Sequence, residues 1–103
     1  MIYEVLQNVK PETKGTSDYF AATFDGCLDK DFFFFNYGVV CEIEADSIDD
    51  VFRIGNIGPE ENIKRIADRM HSISVGDVIR VKGDLASSVV VASFGFNKIG
   101  EVA

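Results

Sequence analysis

The sequence predicts an α+β fold: a small antiparallel sheet of three to five strands packed by two or three short helices, in one domain spanning residues 1–103. Three observations predict it. Val39, Cys41, Ile43 and Ala45 alternate with Glu42 and Glu44, the period of a strand with one wet face. The segments behind Ser47 and Pro59 combine helix-start chemistry with apolar residues at helical spacing. Residues 78–82 and 88–94 are two β-rich runs separated by a turn-forming stretch. With 47% of its residues apolar and nine phenylalanines, the chain can bury a core without metal or disulfide support.

Residues 2–6 are short, apolar and β-compatible, and Lys10-Pro11-Glu12-Thr13-Lys14-Gly15 then breaks regular structure. Between 17 and 24, Ser17 or Thr16 is placed to cap a short helix ending near Gly26, although so brief a segment also suits an extended form. A strand through residues 31–37 would send two of Phe32, Phe33, Phe34 and Phe35 to each face, so both faces would need cover. The alternative for these four rings is a surface patch that buries against a partner.

In the strand 39–45, Cys41 falls on the apolar face and reads as a small core residue rather than a reactive thiol. Ser47 supplies a cap oxygen, Asp49 and Asp50 suit the positive end of a helix, and Val51, Phe52 and Ile54 give its apolar contact, predicting a helix over 47–54 that stops at Gly55. Pro59, Glu60 and Glu61 mark a second start, and Ile63, Ile66, Ala67 and Met70 recur at spacings of three and four, predicting a helix over 59–70. Lys64, Arg65 and Arg69 then form its solvated face, and His71 closes it. Residues 78–82 and 88–94 form a hairpin around 83–87, the two later helices cover one side of the sheet, and the chain frays from about Gly100.

The net charge of −7 repels nucleic-acid phosphate unless the charges segregate strongly, so direct nucleic-acid binding is not expected. Residues 1–50 carry eleven acids and three bases, whereas 51–103 carry six acids and seven bases. Such a half can present an acidic face to a basic partner, or can simply be a solvated surface. Cys27 and Cys41 lack CxxC spacing, and a single histidine does not build a usual zinc site, so no metal is expected. No phosphate-cradling Gly-x-x-x-x-Gly-Lys stretch occurs, and no cofactor is implied. Without a secretory leader or a run of roughly 20 apolar residues, the expectation is a cytoplasmic protein with no membrane partner.

The segment His71-Ser72-Ile73-Ser74-Val75-Gly76-Asp77-Val78-Ile79 is richer in polar residues than any amphipathic pattern requires. Gly76 tolerates positive φ and Asp77 can bond nearby amides, which delivers the chain into a strand. Together with Ser47-Ile48-Asp49-Asp50-Val51-Phe52 before it and Ala92-Ser93-Phe94-Gly95-Phe96 after it, this arrangement resembles the YodL-like family over about residues 39–99. The family pattern is a helix, a His-Ser-Leu/Met-Ser-Val-x-Asp-Val motif and a strand closing in Ser-x-Gly-Phe. The chain departs from it in a longer connection over 59–70 and in Ala92, where an acidic residue is common. The resemblance implies a phage or mobile-element origin, with the host cytoplasm as compartment, and implies no catalytic activity.

The function expected is therefore a small non-enzymatic phage or mobile-element accessory protein that binds a host or viral protein. Its binding residues would be Phe32, Phe33, Phe34 and Phe35, or the loop with His71, Ser72, Ser74 and Asp77. One alternative is an acidic mimic of DNA that occupies a host nucleic-acid enzyme through Glu42, Glu44, Asp46, Asp49 and Asp50. A more distant one is a hydrolase using His71 with Ser72 or Ser74, residue types that suit a nucleophile and base but lack a Gly-x-Ser-x-Gly elbow. The structural account of the loop is that these side chains satisfy backbone amides.

Overall fold

The computed structural model describes residues 1–100. The elements run β1 (Ile2–Asn8), α1 (Ser17–Asp25), α2 (Lys30–Asn36), β2 (Tyr37–Glu44), α3 (Ile48–Ile57), β3 (Ile63–Arg65), β4 (Val78–Val81), β5 (Val89–Val91) and β6 (Phe96–Lys98), with 3-10 turns at Pro11–Thr13, Glu60–Asn62 and Leu85–Ser87. Among the described residues the strands form one open antiparallel sheet in the order β3-β2-β1-β4-β5-β6. The α+β class and antiparallel sheet match the sequence expectation, but there are six strands rather than three to five.

The N-terminal strand lies inside the sheet, with Tyr3 opposite Ile43 of β2 and Val81 of β4. Alternation along the strands feeds two cores. Tyr3, Val5, Cys41, Ile43, Ile79 and Val91 pack with Val51 and Ile54 of α3 and with Ile73. Leu6, Val78 and Val90 pack with Ala22 of α1, Leu28 and Phe32 of α2. Helices thus cover both faces, where the sequence suggested cover on one side only. Between Val5 and Leu6 the β1–β2 register shifts, leaving Val40 as an extra residue in β2.

Each helix starts on a side-chain cap. The Thr16 hydroxyl accepts from the Tyr19 amide at 3.2 Å, Ser47 Oγ accepts from the Asp50 amide at 3.1 Å, and Asp29 Oδ2 accepts from the amides of Asp31 and Phe32 at 3.0 and 3.1 Å. The Asp29 cap overturns the strand expected over 31–37. The four phenylalanines lie on a helix, so Phe32 points into the core, Phe33 packs half-buried against it, and Phe34 and Phe35 turn away. Helix α3 does not stop at Gly55 but continues to Ile57, where the Gly58 amide donates to the Ile54 carbonyl at 2.8 Å, and Ile73 packs where a side chain on Gly55 would stand.

The helix expected over 59–70 is absent. Ile63–Arg65 instead form β3 along the edge of β2, with Ile63 opposite Ile43, and the Ile66 and Ala67 amides donate to the Val40 carbonyl at 2.9 and 3.1 Å. Pairing satisfies the outer polar edge of β2, which a helix over this segment would leave open. The run expected over 88–94 also divides: Ala92 N–H donates to the Gly95 carbonyl at 3.0 Å, and the chain returns as β6. Gly100 is tied to the Leu28 carbonyl at 2.7 Å, and the fraying expected beyond it concerns 101–103, outside the described residues. No described helix is long and apolar enough to cross a membrane.

Candidate functional site

A buried polar cluster joins the inward face of β1 to the loop before β4. Continuing the alternation of Tyr3 and Val5 brings Gln7 inward, and its side chain is buried with Asp77. Gln7 Nε2 donates to the His71 carbonyl at 2.8 Å and to Asp77 Oδ2 at 3.0 Å, while Gln7 Oε1 accepts from the His71 amide at 3.2 Å. The same Asp77 oxygen accepts from the Ser74 amide at 3.0 Å. Both the nitrogen and the oxygen of the Gln7 carboxamide thus have partners, which is what burial demands of them.

The loop wraps around the end of the sheet, with Ile73 packed in the α3-side core and Gly76 against the Ala22 carbonyl of α1. Gly76 has φ +96°, and a Cβ there would stand 2.9 Å from that carbonyl oxygen. The Tyr37 hydroxyl donates to the Gly76 carbonyl at 2.6 Å. Next to it, Gly76 N–H donates to the Val91 carbonyl and Val91 N–H to the Asp77 carbonyl, so the loop and β5 lie side by side.

Burial pushes the Asp77 carboxyl up to about 6, a rise that the Ser74 amide, His71 and Gln7 offset only in part. Burial also raises the Tyr37 phenol far above its usual range, with Asp77 adding to it. His71 Nδ1 lies 2.7 Å from the Ser72 carbonyl, which places a proton on that nitrogen, and 3.8 Å from Asp77 Oδ2. There is no preceding helix for His71 to close. Its backbone is held by Gln7 and its ring is exposed.

The structure therefore brings His71, Asp77 and the Ser74 backbone together, but not as a nucleophile and base. Among the described residues no hydroxyl of Ser72 or Ser74 hydrogen-bonds the imidazole. The arrangement clamps a loop onto a strand. The strand expected over 2–6 stops short of Gln7, and the signal for it is one further step of alternation, which puts a polar residue on an apolar face.

Above this clamp lies an open groove of about 1080 Å³. Its walls include Tyr19, Tyr37 and Val75, and its basic residues are Lys10, Lys14, Arg65 and Arg69. With no helix over 59–70, Arg65 and Arg69 are not the helical face expected of them. Arg65 lies on β3 and Arg69 in the following loop, and both line the groove.

The phenylalanines separate. Phe32 is core and Phe33 rests on Tyr37 with ring centroids 5.3 Å apart, whereas Phe34 and Phe35 are 78% and 68% exposed. Phe20 and Phe24, stacked at 5.6 Å on α1, and Phe94 in the β5–β6 turn are exposed as well. Asn97 Nδ2 donates to the Gly26 carbonyl at 3.0 Å, and a Cβ on Gly26 would stand 2.7 Å from Ala92 Cα, so that turn docks at the end of α1.

The acidic residues Glu42, Glu44, Asp46, Asp49 and Asp50 do not form one free array. Glu42 pairs with Lys82 at 2.9 Å, Asp50 pairs with Arg53, and Glu44 lies 3.6 Å from the amino terminus. The Arg53 contact and the Asp46 amide hold the Asp50 carboxyl below its ordinary value. Asp46 and Asp49 are exposed. Among the described residues no group of three or more His, Cys, Asp or Glu is placed to hold a metal ion. In comparisons with known proteins, no family model matches the chain, and no curated protein or solved structure is significantly similar to it.

Proposed function

We propose that this chain is a small non-enzymatic accessory protein of a phage or mobile element, of the kind the YodL-like resemblance implies, and that it binds a host or viral protein through its phenylalanine-bearing face. The observation that supports this reading is the exposure of Phe20, Phe24, Phe34, Phe35 and Phe94 on α1, α2 and the adjoining turn. Scattered apolar residues on a surface are ordinary, but five large rings on neighbouring elements are an apolar reserve that a binding partner can remove from water. The cap on Asp29 fixes α2 so that Phe34 and Phe35 face outward while Phe32 anchors the helix.

Partner capture tests the reading. The immobilised protein and a Phe34→Ser/Phe35→Ser variant are exposed to host lysate at low and moderate salt, and retained proteins are identified by mass spectrometry. The expected result is one protein held at both salt concentrations by the parent and lost by the variant. Equal retention by both overturns the aromatic face. Salt-labile capture that disappears when Glu44, Asp46 and Asp49 are made amides would favour the acidic mimic instead.

A further inference from the structure

We propose that the groove above the Gln7–Asp77 clamp is a binding site for a small ligand bearing two or more phosphate groups, held by Lys10, Lys14, Arg65 and Arg69. The inference rests on where the cations are. The chain has ten Lys and Arg in a molecule of net charge −7. Three of them, Arg53, Arg80 and Lys82, are paired with carboxylates. Four line this one depression, and among the described residues none of those four is in an ion pair.

They come from three places in the chain: Lys10 and Lys14 flank the turn after β1, Arg65 ends β3, and Arg69 lies in the loop leading to His71. Segregation of this kind in an acidic molecule focuses positive potential at the groove. The acids lining it are Asp68 and Asp77, and Asp77 is buried beneath the floor with both Gln7 and the Ser74 amide upon it.

Size and walls define the ligand class. About 1080 Å³ of open groove suits a nucleotide-sized molecule. Lys10, Lys14, Arg65 and Arg69 match multiple phosphate oxygens, with guanidinium forks giving paired contacts. Tyr19 and Val75 offer an apolar wall for the remainder of an organic phosphate. A nucleic-acid strand fits less well, because a chain extending past the groove meets a surface of net negative charge. None of its four cations belongs to the aromatic face, which meets the groove where the Tyr19 ring packs edge-on against Phe20 at 5.7 Å.

Calorimetric titration of the whole protein with pyrophosphate, ADP and adenosine tests the proposal. Pyrophosphate and ADP are expected to bind, adenosine is not, and ADP binding tighter than pyrophosphate identifies the organic phosphate as the better ligand while equal affinity identifies inorganic pyrophosphate. Arg65→Gln/Arg69→Gln should weaken binding about tenfold or more, as expected for lost charge-assisted contacts. Lys64→Gln/Lys98→Gln removes the same charge outside the groove and should change it little, with thermal unfolding confirming that both variants fold. Absence of binding by either phosphate, adenosine binding as tightly as ADP, or equal weakening by the two double variants overturns the proposal.

Discussion

Gln7 and Asp77, seventy positions apart, meet in the interior at 3.0 Å, and the same Gln7 carboxamide holds both backbone groups of His71. One side chain on the central strand thus fixes the loop that floors the groove. Replacing Gln7 with Leu keeps approximate volume but leaves the His71 amide, the His71 carbonyl and Asp77 short of partners. The expected loss is roughly 2–4 kcal/mol, measured by urea unfolding. A loss below about 0.5 kcal/mol would show that the clamp contributes nothing to stability.

The Asp77 carboxyl, raised by burial from 3.8 to about 6, binds more protons in the folded than in the unfolded chain between those values. Its contribution is therefore most favourable below about 4, declines as pH rises through the window, and levels off above about 6. Relative to Asp77→Asn, which lacks this titration, the parent should lose on the order of 3 kcal/mol across the window. Urea unfolding of both proteins at several pH values checks this, and a constant difference between them overturns it.

Two glycines with positive φ separate backbone preference from crowding. Gly76→Ala meets both an unfavourable conformation and the Ala22 carbonyl, whereas Gly83→Ala, at φ +85°, has open space around its Cβ. The expected costs are about 3 kcal/mol or more at Gly76 and about 1 kcal/mol at Gly83. Equal thermal destabilisation of the two variants would remove the close approach between loop and α1 from the account.

Adjacent phenylalanines on α2 should behave oppositely. Phe32→Ala opens a cavity between α2 and the sheet and is expected to cost about 3 kcal/mol. Phe34→Ser and Phe35→Ser should stay within about 0.5–1 kcal/mol of the parent. Chemical denaturation distinguishes them, and a large loss from either exposed position would mean that its ring serves the fold rather than a partner.

Much of this architecture is legible locally. Val39 to Ala45 alternates as β2 does, and Ser47 caps α3 as its position before Asp49 and Asp50 suggests. The failures have local patterns that tertiary structure overrides. Ile63, Ile66, Ala67 and Met70 keep a helical spacing, yet Ile63 is needed opposite Ile43 and the next two amides are needed by Val40. Four β-favouring phenylalanines hide a helix whose cue, Asp29, stands before them. The clamp was half legible: Asp77 was expected to bond nearby amides and does, but its partner Gln7 lies beyond the reach of any short-range pattern. The groove draws its cations from segments whose local pattern suggests only a loop at Lys10 and Lys14 and a helix face at Arg65 and Arg69.

Both borders of the sheet are three-residue strands, β3 with Lys64 and Arg65 exposed and β6 with Lys98 exposed, while the long strands β1 and β2 are interior. Short cationic borders offer a poor template for strand addition by another chain. A protein that shows several aromatic rings to water runs a risk of open-ended polymerisation, and here that route is blunted at both ends of the ladder. Any self-association through the rings would therefore proceed by side-chain contact and not by extending the hydrogen-bonded ladder.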